Sequence, residues 1–176
     1  MDIQSIVAKG DDLNNVAMQT LDSSGRADEI FMWDDWQFDA PCWADDNGVA
    51  TKKFQPGEAI WTQGKAGYSI QTAGEVGASD VIINLRDGNI AVGNPFPVSV
   101  GIQDIVATGA DLNNVAMQTL DSSGRADEIF MWDDWQFDAP CWADDSGVAT
   151  KTFAPGEGIW VQGKAGYTLR FPAPNL

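Results

Sequence analysis

The residues best suited to chemistry are tryptophans and aspartates that stand side by side in one short stretch. Trp33-Asp34-Asp35-Trp36 is followed by Trp43, and the pattern returns as Trp132-Asp133-Asp134-Trp135 with Trp142. An indole ring covers the apolar face of a sugar, and carboxylates beside it accept hydrogen bonds from the sugar hydroxyls. The pattern therefore predicts a ligand-binding patch for a glycan, present twice. Packing in the core is the alternative for each tryptophan, because large aromatic residues are commonly buried in small domains.

Six aspartates of the same region have the oxygen atoms that calcium prefers as ligands. They are Asp12, Asp45 and Asp46, with the counterparts Asp111, Asp144 and Asp145. Their spacing does not follow the EF-hand pattern. A bound calcium ion is one hypothesis for these residues, and it is the only cofactor that the sequence indicates. In the alternative, each side chain accepts hydrogen bonds from the backbone of its own turn.

The chain has few of the residue types and spacings that catalysis requires. The sequence contains no histidine, which removes the commonest general base and a common metal ligand. Asp34 and Asp35 are adjacent, so on a strand their side chains would point to opposite faces and would not converge on one bond. Cys42 and Cys141 have no histidine to activate them, and we expect both to be buried free thiols. The sequence therefore predicts that the protein is not an enzyme.

The net charge of −16 comes from two segments. Residues 12–46 hold nine acidic residues against one arginine, and residues 111–145 repeat this balance. Such acidic surfaces disfavour nucleic acid and anionic membranes as partners, because phosphate contacts require lysine and arginine. No apolar stretch is long enough to predict a bilayer-crossing helix. A glycan, a cation or a basic protein fits the charge, and solubility alone is the alternative.

The chain contains an internal repeat. Residues 12–46 recur unchanged as residues 111–145, at an offset of 99. This divides the chain into a first copy over residues 1–77, a linking segment over residues 78–99 that has no counterpart, and a second copy over residues 100–176. A copy of about 77 residues would have only a thin core, so we expect the two copies to fuse into one domain.

The local patterns favour strands. Alternating and β-branched residues dominate, and no stretch has a sustained helical stripe. The sequence predicts an all-β fold, specifically a pseudo-two-fold β-sandwich or barrel. In the first copy, strands are expected at residues 29–33, 36–38, 50–54, 59–63 and 68–72, with equivalents 99 residues later. Residues 12–20 fit either a helical turn or a loop before a strand at 18–21. One shared core is expected from Phe31, Trp33, Phe38, Phe54, Ile60, Phe130, Trp132, Phe137, Phe153 and Ile159.

The linking segment, residues 78–99, has the pattern of a β-hairpin. Two apolar runs at residues 81–85 and 90–92 flank Asp87-Gly88, which suits a tight reversal. The first copy lacks this hairpin, so its sheet should expose an edge. Three explanations are open: the copies share the hairpin, another molecule covers the gap, or the chain is a shortened piece. We favour the first, because a hairpin between two copies could pair with both.

Three motifs of the second copy resemble a known class of module. They are Gly93-Asn94-Pro95-Phe96-Pro97, Ile129-Phe130-Met131-Trp132-Asp133 and Pro155-Gly156-Glu157-Gly158-Ile159-Trp160. In this order they resemble poorly characterised β-rich repeat modules near the ends of large secreted bacterial surface proteins. The resemblance covers roughly 80 residues and implies an extracellular, non-catalytic module. The first copy departs from it, since it lacks the Gly-Asn-Pro-Phe-Pro start and has Ala59 in place of Gly158.

These observations predict a non-catalytic binding module, extracellular or at the cell surface, with a glycan or a cation at the duplicated acidic and tryptophan patches. The alternative is a structural subunit of a surface layer, stalk or filament that forms homo-oligomers through the exposed sheet edge. The two hypotheses differ in where the partner binds: on the acidic patches, or at the edge of the first copy.

Overall fold

The computed structural model describes residues 1–14, 16–22, 24, 26–64, 66–72, 77–121, 123 and 125–174. The fold is all-β, as predicted, and the described residues include two short 3-10 helices, Ile3–Ser5 and Ile102–Asp104. Among these residues, no helix is long and apolar enough to span a membrane. The chain divides into two compact units: unit 1 comprises Met1–Asp22, Arg26–Pro56 and Ile60–Glu75, and unit 2 comprises Ser23–Gly25, Gly57–Ala59 and Val76–Leu176. The fusion of the copies into one domain stays a prediction.

The described part of unit 1 contains two antiparallel sheets. Its strands are β1 (Ile6–Lys9), β2 (Ala17–Leu21), β3 (Ala27–Asp34), β4 (Cys42–Asp45), β5 (Gly48–Val49), β6 (Trp61–Gln63) and β7 (Ser69–Thr72). A five-stranded sheet has the order β5-β4-β3-β2-β6, and β1 pairs with β7 in a two-stranded sheet. Strands β6 and β7 therefore each have a strand neighbour on one side only.

The described part of unit 2 has eleven strands, seven of which match the strands of unit 1. They are β8 (Val81–Asn84), β9 (Gly88–Gly93), β10 (Val100–Gly101), β11 (Val106–Thr108), β12 (Ala116–Leu120), β13 (Ala126–Asp133), β14 (Cys141–Asp144), β15 (Gly147–Val148), β16 (Thr152–Phe153), β17 (Gly158–Gly163) and β18 (Thr168–Phe171). The six-stranded sheet has the order β15-β14-β13-β12-β17-β9. A three-stranded sheet has the order β11-β18-β8, and β10 pairs with β16.

The repeated sequence forms the same ladders in both units. Met18 lies opposite Phe31, Trp33 lies opposite Trp43, and the equivalent residues of unit 2 have the equivalent partners. Directly opposed residues of antiparallel strands point to the same face. The aromatic residues of β3 and β4 therefore converge on the inner side of their sheet.

The buried apolar residues that the structure describes form two clusters, one in each unit. The prediction of one shared core is therefore wrong, because each unit draws its core from its own sheets. Phe31, Trp33 and Phe54 are buried, as are their counterparts in unit 2. Phe38 is only half-buried in unit 1, and so is Ile60. In unit 2 the counterpart of Ile60 is fully covered, because β9 lies beside it.

Most strand predictions are confirmed, but residues 36–38 are wrong. Residues 35–40 form bends, because a carboxylate oxygen of Asp34 accepts hydrogen bonds from the backbone N–H groups of Trp36 (3.1 Å) and Gln37 (2.7 Å). These bonds offer the backbone an alternative to a ladder. The strand expected at residues 50–54 is reduced in unit 1 to an isolated bridge between Lys53 and Asp2. The strand at residues 18–21 is confirmed as β2.

The linking segment contains both predicted strands, but they do not form a hairpin with each other. β8 pairs with β18 and β9 pairs with β17, so the two strands belong to different sheets. Leu85 lies between them, 4% exposed, and its backbone N–H donates to the carbonyl of Tyr167 at 2.8 Å. Because Leu85 is buried at this point, the chain crosses from the sheet of β8 to the sheet of β9 and does not form a hairpin.

We expected the linking segment to pair with both copies. Its described strands form ladders with the second copy alone. Among the described residues, the first copy contributes a single isolated bridge between Glu58 and Val92. β6 and β7 receive no strand from the segment. The described strands form several open sheets, none of which closes on itself.

Candidate functional site

Four of the predicted ligand-binding tryptophans lie in the hydrophobic cores. Trp33 and Trp43 pack edge to face with ring centroids 5.2 Å apart, and Trp132 and Trp142 repeat this geometry at 5.2 Å. The indole nitrogen of Trp43 donates to the carbonyl of Ile6 at 2.8 Å. The four rings are part of the cores, which was the alternative to ligand binding, and their faces are not presented to solvent.

Trp36 and Trp135 have the opposite environment. Each is 75% exposed on the loop that follows the long third strand of its copy. The bonds that hold this loop in unit 1 are repeated in unit 2, where Asp133 accepts from the backbone N–H groups of Trp135 (3.1 Å) and Gln136 (2.7 Å). Asp35 and Asp134 are exposed on the same loops. The structure therefore keeps one solvent-facing indole with acidic neighbours in each copy.

The predicted calcium ligands are engaged in their own turns. Asp12 accepts from the side-chain amide of Asn14 at 2.8 Å, and Asp45 accepts from the backbone N–H of Asn47 at 2.7 Å. Asp111 and Asp144 make the equivalent bonds, while Asp46 and Asp145 are exposed at the adjacent turns. In the described part of the chain, no three acidic or cysteine side chains come together as a metal site would require. Calcium binding stays a prediction.

The two cysteines are free and buried, as predicted. Burial is the main cause that raises the pKa of the Cys42 thiol, and the negative charge of Asp34 raises it further. The pKa of Cys141 is raised in the same way by burial and by Asp133. Because the thiolate is the reactive form, both cysteines have the environment of inert core residues.

Unit 1 has a groove where its two sheets end. We call it the open slot; its volume is about 250 Å³, and it is lined by Val16, residues 62–64 and residues 68–70. One wall is β6 and the other is β7. Each is the last described strand of its sheet, so backbone donors and acceptors of both edges are available to an added strand.

The same place in unit 2 is filled. β9 lies against β17 over six residue pairs, and β8 lies against β18 over four. Val161, Leu169 and Phe171, on the strands that these two join, are 0% exposed. In unit 1 the equivalent Thr62 and Thr72 are exposed. The two units thus present one site in its occupied and its open form.

The exposed edge was predicted from the sequence, but the slot between the two edges was not. The sequence signal for the open slot is the set of substitutions between the two copies. Unit 2 has Val161 and Phe171 where unit 1 has Thr62 and Thr72. A buried strand pair accounts for the apolar residues in unit 2, and water at the open slot accounts for the threonines in unit 1.

Comparison of the chain with protein-family models, with curated protein sequences and with solved structures finds no match.

Proposed function

We propose that the protein is a non-catalytic structural subunit that joins neighbouring polypeptides through the open slot of unit 1. The observation that carries this proposal is the pair of edges β6 and β7, which no described strand covers, whereas their equivalents in unit 2 are covered. Strand addition at an exposed edge is a common mode of protein association, because the backbone supplies the hydrogen bonds and alternate side chains enter pockets.

The surface beside the slot also suits association. Trp61 lies opposite Gln19, which lies opposite Ile30, so these residues share the outer face of the five-stranded sheet. Trp61 and Ile30 are both exposed. An added strand at β6 would extend this face and cover part of its apolar surface.

An extracellular or cell-surface location belongs to the same proposal, and the resemblance of the second copy to secreted surface modules supports it. The pseudo-two-fold β-sandwich is likewise proposed, on the basis of the duplicated sequence and the matching strand registers of the two units.

Light scattering over a concentration series tests the proposal. We expect the average mass to rise above that of a monomer towards millimolar concentration, through pairing of open edges. The variant Thr62→Lys should abolish this rise, because it places a charge where an apolar strand would pack. Thr51→Lys, at an exposed residue outside the strands, is the matched charge control. A strict monomer at millimolar concentration counts against the proposal.

A second candidate function is glycan or cation binding at the acidic patches. The observation that favours it is the 75% exposure of Trp36 and Trp135, next to exposed Asp35 and Asp134. Screening on a glycan array should then show binding that the double variant Trp36→Ala with Trp135→Ala removes. Silence across the array would eliminate the glycan, and an unchanged melting temperature with and without a calcium chelator would eliminate the calcium ion.

A further inference from the structure

We propose that the natural occupant of the open slot is a strand pair with the chemistry of residues 81–93, supplied by another polypeptide. This inference rests on the proposed function and names the partner. We call residues 81–93 the donor segment; they consist of β8, Leu85, residues 86–87 and β9. In unit 2 this segment fills the slot that unit 1 leaves open.

The framework of the open slot matches that of the filled one, although β6 has three residues and β17 has six. Its strands β6 and β7 pair with β2 and β1 in the same register as β17 and β18 pair with β12 and β11. The ring of Tyr68 packs closely over Gly10, as the ring of Tyr167 packs over Gly109. A preformed site loses little conformational entropy when a partner binds, and this favours association.

One glycine identifies where the donor leucine would lie. A Cβ atom added to Gly163 would come within 2.6 Å of the Leu85 side chain, whereas a Cβ atom added to Gly64 meets nothing within 4 Å. Gly163 is thus required for the leucine to pack. The equivalent space over Gly64 is open, and the leucine of an incoming donor segment would lie there.

The filled slot also predicts the register of the complex. In unit 2, Val161 lies opposite Ile90 and Leu169 lies opposite Ile83. The offset of 99 places Thr62 opposite Ile90 and Ile70 opposite Ile83 of the donor. The backbone N–H of Leu85, which donates to Tyr167 in unit 2, would donate to the carbonyl of Tyr68.

Exchange between copies of the chain cannot fill every slot. Residues 1–176 contain two slots of this kind, and residues 78–99 are the one donor segment among those that the structure describes. If a chain gave its segment to a neighbour, its own unit 2 would be left open. A donor segment on a separate polypeptide would complete the slot of unit 1 and leave unit 2 of this chain filled.

The threonines of the open slot make the proposed contact weaker than the one in unit 2. Thr62 and Thr72 stand at the places of Val161 and Phe171, so the donor segment would cover less apolar surface there. Gln71 stands at the place of Arg170, which forms an ion pair with Asp80 at 2.9 Å. These differences give a reversible contact at unit 1 and a permanent one at unit 2.

A synthetic peptide of residues 78–99, added to the full chain, tests the inference. We expect saturable binding by calorimetry and slower amide exchange in residues 60–64 and 66–72, with no change in residues 159–171. The peptide should also disperse self-associated chains into monomers, because it covers the edges. The variant with Thr62→Val and Thr72→Phe should bind the peptide at least roughly tenfold more tightly.

Two controls decide the result. Gly64→Val fills the space for the donor leucine, has open room in the unbound protein, and should reduce peptide affinity at least roughly tenfold. A peptide with Leu85→Ala leaves the protein unchanged and should bind more weakly. Peptide binding that both changes leave unaltered overturns the inference, as does an absence of protection in residues 60–64 and 66–72.

The two proposals fail in different ways. If the chain self-associates through β6 but the peptide neither binds nor disperses the assemblies, only the donor segment is wrong. If the chain stays a monomer at millimolar concentration and the peptide does not bind, both proposals fall.

Discussion

Residues 12–46 of the first copy and 111–145 of the second are identical, yet units 1 and 2 differ in how much of their sheets is covered. β6 runs for three residues, and the equivalent β17 runs for six. The main difference around these two strands is the presence of β9. A local sequence is thus sufficient to start a strand, while its length and its burial depend on a partner from elsewhere in the chain.

The largest test of this comparison removes the central tryptophan of each core. Trp43→Ala and Trp142→Ala should each cost about 3–5 kcal/mol in their own unit, since both side chains are fully buried. Unit 1 has fewer strands, so we expect it to unfold in the Trp43→Ala variant. In the Trp142→Ala variant, we expect unit 2 to keep some protection of its amides from exchange. Hydrogen exchange with mass spectrometry can measure this.

The reporter peptides for that experiment must come from outside the identical segments. Residues 47–64 and 146–163 differ in sequence, so their masses identify the unit. Equal residual protection in the two variants would contradict a difference in stability between the units.

Replacing Gln4 or Gln103 should have an intermediate effect on stability, of the same size in both units. The side chain of Gln4 donates to the carbonyls of Trp43 (2.9 Å) and Ala50 (2.7 Å) and accepts from the N–H of Trp43 (3.0 Å). Gln103 makes the same three contacts in unit 2. Alanine at either position should lower the free energy of unfolding of its unit by about 1–2 kcal/mol, as measured by urea denaturation. An effect in one unit alone would show that the shared frameworks are not equivalent.

A smaller effect should separate the filled slot from the open one. Val161→Thr buries a hydroxyl group on β17, beside β9, and should destabilise unit 2 by about 1–2 kcal/mol. Thr62→Val, at the exposed equivalent, should change unit 1 by less than about 0.5 kcal/mol without a donor. Thermal denaturation followed by unit-specific exchange measures both. Equal effects of the two substitutions would mean that the slots have the same environment.

The smallest effect concerns pH and unit 2 alone. The pKa of Asp80 is lowered, first by the hydrogen bond from the backbone N–H of Ala173 and then by that from Arg170. Since the folded pKa lies below the ordinary value of about 3.9, this stabilisation is present above that value and is lost as pH falls through the folded pKa. The difference in melting temperature between the wild type and Asp80→Asn should therefore exist at neutral pH and vanish in strong acid. A difference that persists in acid would exclude the ion pair as its cause.

The sequence predicted those features that depend on neighbouring residues. The all-β class, β2, β3 and the strands of the linking segment follow from local alternation, and the missing edge partner follows from the unmatched segment. The carboxylate of Asp34 changed residues 36–38 from a strand into bends, because one side-chain oxygen can bind two backbone N–H groups.

Features that depend on distant partners were not predictable in the same way. The assignment of β8 and β9 to different sheets depends on the burial of Leu85 against a glycine far along the chain. The interior position of Trp33 and the exposed position of Trp36 also depend on sheet packing, since both have the same acidic neighbours in the sequence. Residue type and spacing therefore indicated the candidate patch but not which of its rings would face solvent.

The identity of β2 with β12, and of β3 with β13, has a consequence for refolding. The side chains cannot tell the correct partner from its duplicate, because both offer the same residues. Only tether length distinguishes them: closing the long loop from β3 to β12 is disfavoured over the short loop from β2 to β3 by about 2 kcal/mol of chain entropy. So slight a preference should let kinetic traps with exchanged strands accumulate when the denatured chain is diluted rapidly.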